Sequence, residues 1–497
     1  MALGFTAAVG KALNKLQPFR YGKLKDRVLV TNEVGEFSVL TTEDFTALIN
    51  DELSPESPKY QELAQKSFFR SDETTAALAN KYARKNAFLF HGPYLHIMIV
   101  TLRCNEVCVY CHASRRDMSE HEFDMTPEMS ATVVDTIFQS PSEFITIEFQ
   151  GGEPLANWKT VQFIIEYAVE KNRTAGKRLE FSLVTNMALM DSDKLSYLMA
   201  NNVQICTSID GPRKIHDANR QVVRGGSSYD VAVQWMRKAD QAYREKGLDP
   251  DLYHVEALST VTRETLKSPQ AVVDEYVRLG RKAIFLRPLN PFGFAKKTVE
   301  KIGYSPDEFL DFYLEALDYM IDLNRQGVEI LERTAAIFLT KMLTPFDPNY
   351  LDLRSPCGAG IGQVAYNFDG SVFTCDEGRM LHQMGDDAFQ IGELPGDSYS
   401  DLIENPTVKA LAVASCLDNI PTCSECVYKP YCGVCPVYNY AEQGGVFGQM
   451  PTNDRCRIYG TILEALFTRI AEGDEEVLDI FSKWTIVRDR SVFFSHE

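Results

Sequence analysis

The segment Thr101–Cys111, TLRCNEVCVYC, places Cys104, Cys108 and Cys111 in a C-x3-C-x2-C spacing. Three thiolates so spaced can hold three irons of a [4Fe–4S] cube and leave the fourth iron without a protein ligand. Cluster sites otherwise carry four cysteines. An iron left open is a place for a substrate or cofactor to bind. A structural zinc site would need a fourth protein ligand, and His112, although adjacent to Cys111, is poorly placed to fold back onto the same ion.

A second, larger set follows near the other end. Eight of the twelve cysteines lie between Cys357 and Cys456. The stretch CSECVYKPYCGVC, with Cys423, Cys426, Cys432 and Cys435, is too irregular for a hydrophobic core alone, and bound clusters would supply the missing stability. Grouped cysteines in a reducing compartment point to metal or cluster ligands rather than disulfides. Two zinc sites are the alternative, because C-x2-C pairs also suit zinc. Cys206, alone within VQICTSI, reads as an inert core thiol.

These residues need a scaffold. Between residues 93 and 330 strand-like and helical patterns alternate. The expected strands are 95–101, 144–149, 179–185, 203–209, 254–261 and 283–287, and the expected helices are 126–138, 158–171, 229–246 and 267–279. Thr126-Pro127-Glu128 is a helix-start signal. Six βα units imply right-handed crossovers and a parallel sheet closed only partway. The fold class is therefore α/β, a partial (β/α)6 TIM-like barrel, with chemistry on the loops after the strands. The triple-cysteine loop follows the first strand directly. Gln150-Gly151-Gly152-Glu153-Pro154 follows the second, where glycines let the backbone approach a ligand closely.

Residues 1–92 form a small N-terminal α+β module: β-like runs at 28–31 and 36–40 flank a turn at Gly35, and a helix follows with Thr41 or Thr42 near its N-cap. It is either a peptide-binding module or a packing extension of the barrel. Residues 331–497 are turn-rich and carry the second cysteine set.

At 497 residues, two or three domains are expected. The net charge of −18 disfavours duplex nucleic acid, which needs clustered Lys and Arg. No stretch approaches the roughly 20 apolar residues of a membrane helix. The first twenty residues are broken by charge before they could serve as a secretory signal. The chain reads as cytoplasmic, without a nucleic-acid or membrane partner.

The C-x3-C-x-Tyr-C loop after the first strand resembles the radical S-adenosylmethionine (SAM) superfamily. The resemblance implies a [4Fe–4S] cluster whose open iron is chelated by SAM. Reductive cleavage of SAM then gives a 5′-deoxyadenosyl radical that removes a substrate hydrogen atom. Gly151, Gly152 and Glu153 resemble the family's motif for the SAM amino group. The segments Ser208-Ile209-Asp210-Gly211 and His216-Asp217-Ala218-Asn219-Arg220 resemble peptide-modifying members, which implies Ser208 on the ribose and Arg220 on the carboxylate. Tyr110 matches the aromatic position beside the adenine.

The C-terminal pattern is similar to the SPASM domain, with one or two auxiliary [4Fe–4S] clusters. This likeness implies Cys423, Cys426, Cys432 and Cys456 on one cluster and Cys357, Cys375 and Cys435 on most of another. Two departures stand out. The last pair is C-x2-C where relatives often show C-x3-C, and the Cys357 cluster lacks a clear fourth ligand unless Cys416 serves. Asp376 corresponds to a position proposed as a general base in sulfatase-activating relatives, and a turn carboxylate is the other reading.

The segments SRRDMSEHEFDMTPE, SPSEFITIEFQGGEPLANW, ICTSIDGPRKIHDANR and IFLRPLNPFGFA resemble the B-type His-Xaa-Ser system radical SAM maturases. Their function implies a ribosomally made precursor peptide as substrate, a second radical SAM maturase as neighbour and a low-potential donor of the flavodoxin or ferredoxin type. The N-terminal module is similar to the peptide-recognition elements of such maturases. Two other functions remain open: formylglycine-type (sulfatase) protein maturation, and a non-catalytic iron–sulfur or zinc scaffold.

Overall fold

The computed structural model describes residues 14–348 and 351–494. The segment 1–13, part of the stretch read above as no secretory signal, lies outside the described residues. Among the described residues no helix is long and apolar enough to cross a membrane.

The N-terminal module is an antiparallel sheet of β1 (Phe19–Leu24), β2 (Arg27–Asn32) and β3 (Phe37–Leu40). Its last turn passes through Gly35 at φ +92°, a conformation open to glycine. Thr41 then caps the helix Thr42–Ile49, its side chain accepting from the Asp44 amide. The pattern reading missed β1, which carries half-exposed polar residues and no apolar alternation. The module docks on the cysteine-rich segment. Thr31 Oγ1 donates to the Val427 carbonyl at 2.8 Å, Tyr431 donates its hydroxyl to the Gly35 carbonyl at 2.8 Å, and Lys85 Nζ reaches the Pro430 carbonyl at 2.7 Å.

The large sheet is built on six parallel strands adjacent in chain order: β4 (Leu95–Thr101), β5 (Phe144–Gly151), β6 (Arg178–Val184), β7 (Gln204–Ser208), β8 (Glu256–Thr260) and β9 (Leu286–Arg287). This is the expected partial barrel. The sixth expected strand is split, because Ala283–Ile284 pairs with Leu331–Glu332 instead of β8. Only two residues are left for β9, so the barrel stays open at that edge. On the other side of β4 the sheet continues past residue 330. There β10 (Gln363–Tyr366) runs parallel to β4, and β11 (Ser371–Phe373) and β12 (Gln390–Glu393) add antiparallel strands, nine in all. The cysteine-rich region thus shares its sheet with the barrel.

Burial alternates along the barrel strands. Ile145, Ile147, Phe149, Leu179, Phe181 and Leu183 are at most 1% exposed and join the core. Their alternates Glu148, Gln150, Ser182, Cys206, Ser208 and Thr260 are half-buried and polar. A parallel sheet covered on both faces reads as continuous apolar strands. Alternation here means that the inner face lines an open polar lumen. Cys206 lies on that inner face, which corrects its reading as a core thiol. At the N-terminal ends of the strands, Arg490 donates to Glu180 and Gln204 and closes the bottom of the lumen.

The core also takes in helices Pro306–Arg325, Arg333–Leu343, Asp454–Glu472 and Glu475–Trp484, the last three in the region expected to be turn-rich. Phe309, Tyr313 and Leu317 pack with Ile462, Leu466 and Phe481 in that one core.

Tyr431→Phe removes a fully buried hydroxyl and leaves the Gly35 carbonyl without its donor. We expect a loss of about 1–1.5 kcal/mol, read by urea denaturation, with faster limited proteolysis of residues 19–85. Unchanged stability and proteolysis would mean that this bond does not fix the module.

Candidate active site at the barrel mouth

The triple-cysteine loop leaves β4 at Thr101 and is pinned from two sides. From β5, the Gly152 amide donates to the Thr101 carbonyl at 2.8 Å and the Glu153 amide to the Arg103 carbonyl at 2.7 Å. A Cβ on Gly151 would lie 2.1 Å from Thr101 O, and one on Gly152 2.4 Å from both Leu102 O and Arg103 O. The glycines therefore permit a close approach of two backbones. From the other side, Glu106–Cys108 pairs antiparallel with Arg220–Val222, setting Cys108 opposite Arg220. Arg103 is held by Asp124 in a bidentate pair, Nε at 2.8 Å and Nη2 at 2.7 Å.

The three thiols sit together. Burial pushes the Cys104 thiol well up, and the charges of Glu153 and Cys111 add to this. Burial dominates at Cys108 as well, opposed by Arg220 and reinforced by Glu106, Cys111 and Cys104. Two donors address Cys104 Sγ: the Glu106 amide at 3.4 Å and Asn186 Nδ2 at 3.8 Å. Burial pushes the His112 imidazole down to about 3. The charges of Arg287, Arg455 and Arg379 add to that effect.

Four more expected residues lie around this loop. Arg220 pairs with Glu106 Oε2 at 3.1 Å and donates to the Tyr110 hydroxyl at 3.0 Å, while that hydroxyl donates to Asp210 Oδ2 at 2.7 Å. The Tyr110 ring packs against Ala295 and Ile302. Ser208 ends β7 on the lumen side. The Glu153 carboxylate points beneath the loop, accepting from Thr185 Oγ1 at 2.6 Å, the Asn186 amide at 2.7 Å and the Leu155 amide at 3.1 Å. Burial raises it to about 7, against those hydrogen bonds. Asn186, Glu106 and Asp210 were missed as site residues. Asn186 follows β6 as Gly152 follows β5, and that strand-end position was the available signal.

Seven of the other cysteines form two groups. Burial, then the neighbouring thiols, pushes Cys432 up beside Cys426, Cys423 and Cys456. Cys357, Cys375 and Cys435 pack with Phe292 and Val437, and burial takes Cys357 to about 12. Cys375 and Cys435 cap the helices Asp376–His382 and Pro436–Gln443, each sulfur accepting an amide at 3.4 Å. The Cys416 thiol is directed instead at Asp418, 3.9 Å away. One cavity is lined by Cys423, Cys426, Cys432, Cys435 and Cys456.

Among the described residues no three Cys, His, Asp or Glu side chains converge on one ion. Single-ion zinc sites need that convergence, whereas the ligands of a cluster bind different irons and stand further apart. The donor sets and the cavity fit iron–sulfur clusters. Asp376 is clamped by Arg379, Nε at 3.0 Å and Nη2 at 2.6 Å, and Arg379 Nη1 also donates to the Ala113 carbonyl at 3.3 Å.

Residues 98–250 match the radical SAM superfamily. Its resident group is a [4Fe–4S] cluster with SAM, and the chain is a radical SAM enzyme. A cysteine-type anaerobic sulfatase-maturating enzyme of Clostridium perfringens is 24% identical over 282 residues, 55% of this chain and 71% of that protein. The structure of native anSMEcpe with bound AdoMet matches with a TM-score of 0.63 at 19% identity, covering 78% of this chain and 100% of the other. Streptococcus suis SuiB bound to S-adenosylmethionine matches at 0.52 and 13% identity, covering 88% and 98%. The likeness to both structures is one of fold.

Gly152→Ala would press a methyl group into two carbonyl oxygens. We expect the loop to shift and iron per chain to fall by about four after anaerobic reconstitution. Gly176→Ala is the control: at φ +63° with nothing near its Cβ, it should cost about 1 kcal/mol and no iron. Full iron in the Gly152 variant would show that the close approach is dispensable.

Proposed function

We propose that the protein is a maturase that modifies a peptide or protein side chain by hydrogen-atom abstraction in the barrel lumen. The observation that carries this reading is the three-thiol loop, without a fourth protein ligand, at the mouth of an open, polar lumen. When bound, the cluster and SAM supply the abstraction chemistry.

The chain's residues position and protect that chemistry. Cys104, Cys108 and Cys111 are the proposed ligands of the cluster, with Asn186 and the Glu106 amide fixing Cys104. Gly151, Gly152, Ser208, Arg220 and Tyr110 surround the space for SAM, and Glu153 acts from below by holding the loop after β6. Glu148, Ser182 and Arg287 face the lumen, where substrate would lie. Asp376 is the proposed base. A carboxylate that accepts a proton from the substrate makes the remaining radical easier to oxidise, and the Arg379 clamp keeps that carboxylate aimed. Electrons released there would pass to the auxiliary groups: Cys423, Cys426, Cys432 and Cys456 as one, Cys357, Cys375 and Cys435 as the other.

The substrate class we favour is a ribosomally made peptide of the His-Xaa-Ser type, because the strings that resemble B-type His-Xaa-Ser maturases run through the barrel. A neighbouring radical SAM maturase and a low-potential donor belong to the same reading, as does a role for the N-terminal module in peptide recognition. Formylglycine-type maturation is the second reading, favoured by the sulfatase-maturating relative. Mass spectrometry of a co-expressed peptide separates them: a Cys or Ser turned into an aldehyde supports the second.

Cys104→Ala should abolish 5′-deoxyadenosine formation and remove about four irons per chain while the auxiliary iron stays. Cleavage of SAM at the normal rate in that variant would refute the site. Asp376→Asn should leave SAM cleavage intact and lower product at least about 100-fold. Equal product yield would reduce Asp376 to a turn carboxylate.

A further inference from the structure

Two adjacent carboxylates begin the helix Asp376–His382, and they have opposite surroundings. Asp376 is held by Arg379. Glu377 has no ion pair and no hydrogen bond from another residue among the described residues, although it is half-buried. It lines the same cavity as Cys435 and Asp352. Cys375 lies two residues before it and caps the same helix, and Cys357 and Cys435 pack against Cys375 in one cluster of side chains.

We propose that Glu377 is a ligand of the iron–sulfur cluster held by Cys357, Cys375 and Cys435, supplying a carboxylate oxygen where the chain has no fourth thiol. The inference rests on the reading that these three thiols hold a cluster. A lone buried carboxylate costs several kcal/mol unless a cation or hydrogen-bond donors compensate it. Here the charges of Asp376 and Asp352 oppose that of Glu377 and only Arg287 favours it, with no side chain donating a hydrogen bond to it among the described residues; iron held by the three sulfurs would supply the compensation. The Glu377 charge acts on all three thiols, whereas that of Asp352 is felt at Cys357 and Cys435 and is itself offset by Arg455. Carboxylate is a harder ligand than thiolate and would set one iron of this cluster apart from the rest. Cys416, the remaining thiol nearby, faces Asp418.

The test uses the full chain carrying Cys104→Ala, Cys108→Ala and Cys111→Ala, so that only auxiliary iron is counted after anaerobic reconstitution with ⁵⁷Fe. Mössbauer spectra should show one iron per cluster with a non-sulfur ligand. Adding Glu377→Ala should remove about one iron per chain or shift that iron's doublet, and Glu377→Cys should convert it to an all-sulfur signal. Iron bound at the Cys423 group in the same sample reports folding, and Glu377→Gln is read in the same way should the Ala variant not fold. An unchanged iron count and spectrum in Glu377→Ala or Glu377→Gln overturns the ligand assignment. A Cys357→Ala chain with the same iron as its parent overturns the cluster itself, and the assignment with it.

Discussion

One close approach of two backbones governs the site. Where Gly151 and Gly152 cross Thr101–Arg103, two amides reach two carbonyls and no side chain fits between. The triple-cysteine loop has little regular structure of its own, and fixing it costs backbone entropy of about 1–2 kcal/mol per residue. That cost is met by contacts from successive strand ends. β5 supplies the glycines, the residues after β6 supply Asn186, and those after β7 supply Asp210, which binds Tyr110 within the loop. Each contact comes from the C-terminal end of a parallel strand, so the order of strands in the sheet is the order of supports around the loop.

Electrostatics adds a second constraint. All three thiol groups are buried enough to disfavour thiolates in the bare chain, and buried anions are stable only when paired. Cationic iron is the natural pair. The chain places few cations of its own at these sulfurs and directs its arginines to carboxylates instead: Arg379 to Asp376, Arg220 to Glu106 and Arg103 to Asp124. Side-chain cations thus hold acids and fix loops, while the thiols are left for metal.

Much of this was legible in the sequence, for identifiable reasons. The strand at 95–101 and the helix start at Thr126 follow from local patterns, an apolar run and an N-cap with proline, and both appear as expected. The triple-cysteine loop follows from spacing, whereas the division of the later cysteines into two groups follows from the likeness to the SPASM domain, because Cys357, Cys375 and Cys435 lie far apart in the chain. What local pattern does not encode is long-range pairing. The split of 283–287 depends on a partner at 331–332. Continuation of the barrel sheet into β10 depends on a strand about 270 residues from β4. Asn186 and Glu106 are ordinary in sequence and take on their roles only when strand ends converge. The helices after residue 331 carry apolar periodicity, but cysteines and turn residues dominate the local composition between them.

The parallel pairing of β4 with β10 also explains how two chemically separate centres keep a fixed separation. β4 launches Cys104 from its C-terminal end, and the same strand carries β10 along its flank, with Leu95 opposite Gln363 and Met98 opposite Tyr366. Cys357 precedes β10 and Cys375 follows β11, so both are tied to the strand that presents the first loop. Three further contacts close the circuit. The Phe294 amide donates to the Cys111 carbonyl at 2.8 Å, the Gly293 amide meets Met384 Sδ at 3.0 Å, and Arg379 joins Asp376 to Ala113. On the roles proposed above, the abstraction site and the Asp376 carboxylate have a spacing set by one sheet, not by a hinge between domains. Catalytic groups need placement to within about 0.5 Å, and a shared strand ties both loops to one hydrogen-bonded sheet.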